Sequence, residues 1–255
     1  MKTVLIPSLG MGIVDASYHA VLTDLQQNQK KYHNLFVVFF EANLLSMVLR
    51  DQEVRTCIKQ ADWILPDGIA VEKLAGWHNG KAIERISGPT FMLKACEYGQ
   101  ALQWKHFFYG GTPKSMPILL NKLKKQFPDL QIAGTYTPPF RPLTPEEDQA
   151  VCTQINASGA DFVWVGLGGP KQERWIVAHR DKISVPVLLG VGAAFDFHAG
   201  TRPWAPAIVR KLGFEWLFRA CFGGRRTFFR NVRCVRIVFF YLLMERFRTL
   251  LKRHS

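Results

Sequence analysis

Four short stretches of this 255-residue chain place a glycine or an acid where a hydrophobic run stops. WILPDG sets Asp67 between a proline and Gly68, and FFYGGTP ends on Gly110 and Gly111. VWVGLGGPKQE carries Gly166 and Gly168 into Gln172 and Glu173, and LLGVGAAFD ends on Asp196. A carboxylate on such a turn can serve as a general base, or it can cap a helix or fill a Pro-Asp-Gly turn. Bare peptide N–H groups at a helix start suit a phosphate or the oxygens of a sugar. An acid beyond a strand end commonly accepts ribose hydroxyls. Each stretch also has a plainer reading: a tight strand-to-helix turn at Gly110–Gly111, a complement to the helix dipole at Glu173, a loop cap at Asp196. Arg85, in ERISG, either steadies a departing diphosphate or is a solvated surface charge.

Several chemistries lack their signatures. The third glycine of the dinucleotide fingerprint is missing, because Lys171 stands in its place, which disfavours a nicotinamide-dependent dehydrogenase. There is no P-loop, no Gly-x-Ser-x-Gly elbow, no Asp-x-Asp, and no His/Cys/Asp group at metal-ligand spacing, so no metal is expected. His198 reads as a surface loop histidine.

These residues need elements to hold them. Short apolar runs (TVLIPSL, NLFVVFF, WILP, HFFYG, QIAGTY, DFVWVGL, PVLLGVGAAF) alternate with helical patterns over residues 43–61, 88–102, 114–127, 145–157 and 172–179. Strand followed by helix, repeated, predicts an α/β fold, a Rossmann-like body with a parallel sheet and crossover helices. In such sheets ligands gather beyond the carboxyl ends of the strands, where the four stretches fall. Thr144-Pro145-Glu146-Glu147 predicts a capped helix start. The body is expected over residues 1–202 and a helical, basic appendage over 203–255.

The formal charge of +13 is unevenly spread. From Arg219 onward ten Lys/Arg face one acid, Glu245. Such a tail seeks an anionic surface. On a helical wheel Phe229, Val232, Phe239, Leu243, Phe247 and Leu250 fall on one side, and Arg226, Arg230, Arg233 and Arg248 on the other. This pattern suits the plane of an anionic membrane; packing on the core or on a second copy in a homo-oligomer is the competing reading. Aromatics segregated with aliphatics argue against nucleic acid. No apolar run reaches the roughly 18 residues of a spanning helix. The N-terminus reads as a first strand rather than a leader, and five scattered cysteines without a C-x-x-C pair indicate a reducing compartment.

ADWILPDGIAVEKLAG, RISG, FFYGGTP, DFVWVGLGGPKQERWI and GVGAAFDFHAGTRPWAPAIVRKLGFEWLFR, in this order and spacing, together resemble the WecG/TagA/CpsF glycosyltransferase family. The resemblance covers about residues 30 to 235. It implies inverting transfer from a UDP-sugar to a polyprenyl-diphosphate-linked acceptor, without a metal or other cofactor, by a protein peripheral to the inner face of the cell membrane. Products of such enzymes include wall teichoic acid linkage units, enterobacterial common antigen and exopolysaccharide. The resemblance makes Asp67 the base and Arg85 a contact to sugar or diphosphate. It assigns Gly110, Gly111, Tyr136, Gly166, Gly168, Gln172 and Asp196 to the donor pocket. Arg210, Arg219 and Arg226 become appendage arginines that meet a diphosphate, with the appendage, including Trp204 and Trp216, folding over the cleft. One departure stands out: FFEANLL puts Phe39 and Glu41, with Asn43 nearby, where many relatives show Thr-x-Asn or Val-Asn, which leaves the donor sugar open. A non-catalytic nucleotide-sugar or lipid-binding regulatory module is the alternative from another class.

Overall fold

The most apolar runs form the centre of a sheet. In a computed structural model, which describes residues 1–213, Glu215, Leu217, Phe218 and residues 224–251, β3 (Leu35–Phe40, LFVVFF) is buried at every position. So are β4 (Trp63–Pro66) and β8 (Val187–Gly190), while β5 (Lys105–Gly110) and β7 (Phe162–Gly166) are buried over most of their length. Strands covered on both faces need no polar alternation. With β6 (Gln131–Tyr136) they form a six-stranded sheet ordered β4-β3-β8-β7-β5-β6, parallel at every pairing. Counted within the sheet that order is 2-1-6-5-3-4, unlike the 3-2-1-4-5-6 order of dinucleotide-binding folds. The α/β architecture and parallel sheet therefore match the sequence reading, while the strand order is particular to this fold.

Helices cover both faces and divide the interior into two apolar clusters. On one face lie α1 (Tyr18–Asn28), α5 (Gly88–Gly99), α6 (Ser115–Gln126) and α9 (Ala194–Ala199). On the other lie α2 (Ala42–Val48), α3 (Gln52–Ile58), α4 (Ile69–Asn79), α7 (Pro145–Ala157) and α8 (Lys171–His179). The capping box at Thr144 and Glu147 forms as its sequence indicates. The helix expected over 43–61 is instead two, because the Asp51 carboxylate accepts from the N–H groups of Glu53 and Val54 and starts a second helix. The N-terminal strand β1 (Thr3–Ile6) does not join the main sheet. It pairs antiparallel with β2 (Met11–Val14) in a hairpin of its own.

After α10 (Ala207–Lys211) the chain ends in a helix over Gly224–Leu251. This C-terminal helix packs on α2 and α4, burying Cys234, Val238, Glu245 and Thr249. Phe229, Val232, Phe239, Leu243, Phe247 and Leu250 are all exposed, as one outward face. Arg233 and Arg248 do not stand opposite that face, as the wheel suggested; they are exposed beside it, because the opposite side is occupied by the body. No helix among the described residues is long and apolar enough to cross a membrane.

Candidate active site

Asp67 follows β4 directly, and its peptide N–H continues the parallel ladder by donating to the Phe40 carbonyl at 3.0 Å. Its Oδ2 accepts the N–H of Gly88, the first residue of α5, at 3.1 Å. Ser87, at the cap position, makes no side-chain capping bond of its own. Asp67 thus caps α5 from another part of the chain, and the positive end of that helix faces a negative group. The next N–H of the same turn, from Ser87, donates to the Tyr18 hydroxyl at 2.6 Å. Burial, reinforced by the nearby Asp67 charge and opposed by the Ser87 N–H, pushes the Tyr18 phenol up to about 12, so it stays neutral beside the carboxylate.

Asp67 and Arg85 line one cavity of about 420 Å³. Glu41 just after β3, Asn43 in the first turn of α2, Lys73 and Trp77 from α4, Gly213 and Glu215, and residues of the C-terminal helix are also among its lining. Its lining is mixed: Glu41, Asp67, Lys73, Arg85 and Glu215 are charged, and Val235, Val238, Phe239 and Leu242 of the C-terminal helix are apolar. Glu41 is fixed by its role at the start of α2, where its two oxygens accept from Asn43 and Leu44, each at 2.9 Å. Arg85 is half-buried and lines the cavity, where the plainer sequence reading made it a surface charge.

The glycine-rich strand ends lie further along the same edge of the sheet. Gln172 is buried at the start of α8, and its Oε1 accepts from Gly168 N–H at 3.1 Å and Gly192 N–H at 2.8 Å. One amide therefore ties the loop after β7 to the loop after β8. Its Nε2 donates to Glu173 Oε1 at 2.8 Å. Glu173 is only 1% exposed and its Oε2 has no protein partner. Burial, with a smaller push from Glu41, raises its carboxyl to about 7 against the pull of the Gln172 hydrogen bond. The glycines here differ in purpose. A side chain on Gly166 would lie 2.5 Å from the Phe195 ring, and one on Gly110 would lie 2.6 Å from the Gly166 carbonyl. A side chain on Gly168 would meet nothing within 4 Å. Gly111 N–H donates to the Gly166 carbonyl at 3.1 Å, clasping β5 to β7.

Residues 6–252 match the sequence profile of the glycosyl transferase WecG/TagA/CpsF family. The chain belongs to this family. Among curated proteins it is similar to N-acetylglucosaminyldiphosphoundecaprenol N-acetyl-beta-D-mannosaminyltransferase from Staphylococcus aureus strains NCTC 8325 / PS 47 and COL. To each it is 29% identical over 194 residues, which are 76% of this chain and 74% of the relative.

In this WecG/TagA/CpsF glycosyltransferase, then, the structure brings Asp67 and Arg85 together and sets Gly110, Gly111, Gly166, Gly168 and Gln172 on adjoining strand ends. It does not gather all the expected residues. Tyr136 ends the edge strand β6, stacked on Tyr109 at 5.8 Å. It is five strands from β4, which is about 24 Å of sheet at ~4.8 Å per strand. Asp196 sits in the first turn of α9, where its Oδ1 accepts the Thr201 hydroxyl at 3.2 Å and its carbonyl accepts the N–H groups of Thr201 and Arg202. Arg210 lies over the Trp204 ring at 3.8 Å. Arg219 and Trp216 lie outside the described residues, as does the side chain of Arg226. His198 is a half-buried residue of α9 rather than a surface loop histidine. Its Nε2 donates to the Pro89 carbonyl at 2.9 Å, and burial lowers its pKa. Tyr18, Lys73 and Trp77 were absent from the sequence reading; only the four-residue spacing of Lys73 and Trp77 on one helix hints that they share a face.

Proposed function

We propose that the protein transfers a hexosyl or N-acetylhexosaminyl group from a UDP-sugar, with inversion, to a saccharide carried on a polyprenyl diphosphate, in assembly of a bacterial exopolysaccharide or other cell-surface polysaccharide. The observation that carries this reading is the mixed lining of one cavity: a carboxylate at a helix N-terminus and other charged groups share it with apolar side chains of the C-terminal helix. An acceptor with a polar saccharide-diphosphate head and a hydrocarbon tail needs both kinds of lining. The staphylococcal relatives are, by name, transferases of N-acetyl-beta-D-mannosamine to N-acetylglucosaminyldiphosphoundecaprenol.

In this scheme Asp67 takes the proton of the acceptor hydroxyl as its oxygen attacks the anomeric carbon. The new glycosidic bond forms as the bond from that carbon to the diphosphate breaks on the opposite face, and UDP departs with the bonding pair. Arg85, which lines the same cavity, balances charge there. Gly168, whose own N–H is engaged by Gln172, has open space beside it, so the donor approaches the backbone closely there. The outward face of the C-terminal helix, with exposed Phe240, Leu243, Met244 and Phe247 and flanked by the exposed arginines 233, 236 and 248, rests on the inner face of the cell membrane, with Phe239, both exposed and lining the cavity, at the border between lipid and cavity.

The test is turnover of a panel of UDP-sugars with a short-chain polyprenyl-diphosphate saccharide, for the wild type and Asp67→Asn. The reading requires UDP release with the wild type and its loss in the variant while donor binding persists. Donor binding without turnover, in every combination, would instead describe a regulatory module.

A further inference from the structure

Away from the cavity, three residues far apart in the chain meet between α7 and α8. Asp148 and Cys152 lie one turn apart on α7, and His179 ends α8. A carboxylate oxygen, the thiol sulfur and a ring nitrogen all lie within 4.8 Å of one another. Cys152 and His179 are buried and Asp148 is half-buried, so the group is enclosed yet reaches water on one side. None of the three lines the Asp67 cavity.

The imidazole settles how the group can work. His179 Nδ1 lies 2.7 Å from the Trp175 carbonyl, which can only accept, so Nδ1 carries a hydrogen. Nε2 lies 2.7 Å from Asp148 Oδ1. A carboxylate and a bare ring nitrogen cannot bond without a proton between them, so the pair holds one. That position, between a nitrogen lone pair and a carboxylate oxygen with a thiol beside it, is one a divalent cation can occupy. A ring whose far N–H is fixed to a backbone carbonyl is the usual orientation of a metal-bound histidine. The other carboxylate oxygen is held by Lys182 at 3.5 Å, which leaves Oδ1 as the ligand atom. Stacking on Trp175 at 4.5 Å further fixes the imidazole.

The geometry points to a binding site for a borderline-soft divalent cation of the zinc class at Asp148, Cys152 and His179, with water as fourth ligand, stapling α7 to α8. Thiolate, imidazole and carboxylate together favour zinc over magnesium or calcium, which prefer oxygen alone. Bonds of about 2.0–2.3 Å put tetrahedral ligands roughly 3.3–3.7 Å apart, so the sulfur, now within 4.8 Å of the other two atoms, closes by up to about 1 Å, and the Nε2–Oδ1 separation of 2.7 Å opens by about 0.6 Å. As the cation enters, two protons leave, one from the Cys152 thiol and one from the Asp148–His179 pair. The staple holds the far end of the helix that begins with Lys171 and Gln172, about 12 Å away at 1.5 Å per residue. Its role is therefore to fix α8, and it takes no part in the transfer.

The full-length protein, freed of metal by chelation, should be titrated with Co2+ and then Zn2+. The expected result is one equivalent of Co2+ giving near-ultraviolet thiolate-to-cobalt absorption, displaced by Zn2+, with a rise in melting temperature on Zn2+ addition. Cys152→Ser should abolish the absorption, and His179→Ala should weaken Zn2+ binding by more than ~100-fold. Asp148→Asn, which keeps a similar shape without the charge, should also weaken binding and covers the case in which either other variant fails to fold. Absence of the absorption in the wild type, its persistence in Cys152→Ser, or equal Zn2+ affinity in the wild type and Asp148→Asn would overturn the assignment.

Discussion

The two stretches of the strand-end edge, the glycine-rich one over β5, β7 and β8 and the acidic one over β3 and β4, look alike in sequence but are built differently. Along the first, much of the space that the glycines create is filled by the protein itself. Phe195 occupies the place beside Gly166, and the Gly166 backbone occupies that beside Gly110. Only Gly168 faces open space among these three. Along the second, Asp67 and Arg85 border a cavity that α4 and the C-terminal helix help to wall in. A glycine at a strand end thus signals close approach, and the approaching group can be a ring of the same protein as readily as a ligand. A carboxylate at a strand end beside another helix's N-terminus is the more specific mark of chemistry.

The largest expected effect tests the acidic side. Asp67→Asn should lower transfer by roughly 10²–10⁴-fold, the usual worth of a positioned base, with donor binding retained in a thermal-shift titration. Transfer within a few-fold of wild type would move the chemistry away from this cavity.

Next comes Glu173, which stands between the two regions. Its folded-state pKa is raised, so between the ordinary carboxylate value and about 7 the folded protein holds a proton that the unfolded chain releases. Stability should therefore fall as pH rises through that window, by roughly 3 kcal/mol in all. Denaturant unfolding of wild type and Glu173→Gln from pH 4.5 to 8 measures it, and the variant should lose most of the slope.

The glycine comparison itself is sharpened by a pair of variants. Gly166→Ala forces the Phe195 ring to move and should destabilise by about 1–3 kcal/mol. Gly168→Ala has room but a φ of +79°, so it should cost about 1–2 kcal/mol and weaken UDP-sugar binding. If Gly168→Ala left donor binding untouched, that loop would be structural like its neighbours.

The smallest effect concerns the outward helix face. Arg236→Gln should weaken binding to vesicles containing anionic lipid by about 1 kcal/mol, close to fivefold in a sedimentation assay, without changing the melting temperature. An exposed arginine away from buried contacts alters folding by no more than about 0.5 kcal/mol.

Much of the framework was legible beforehand. Runs such as LFVVFF and VLLG, short and apolar throughout, read as strands covered on both faces, and Thr144-Pro145-Glu146-Glu147 carries its own helix start. What escaped was set by contacts distant in sequence. The turn of the β1–β2 hairpin meets the C-terminal helix, where Ser8 and Tyr241 share a hydrogen bond at 2.7 Å. Tyr18 has no local signal that it would meet Ser87. Glu245, the one acid of the basic tail, is buried because His78 at 3.0 Å and Arg248 at 2.6 Å both reach it. Burial alone would raise its pKa, yet these hydrogen bonds with that from Ser8 hold it below the ordinary value.

By itself the sequence determined the α/β class, the positions of the strand ends and the amphipathic tail, because hydrophobic periodicity and turn chemistry act over a few residues at a time. The tertiary structure alone decided which strand ends are neighbours, which glycines are filled by the protein's own rings, and that Asp148, Cys152 and His179 meet. Those outcomes depend on crossovers that join residues tens to hundreds of positions apart, and no local pattern of side chains records how such crossovers are ordered in the sheet.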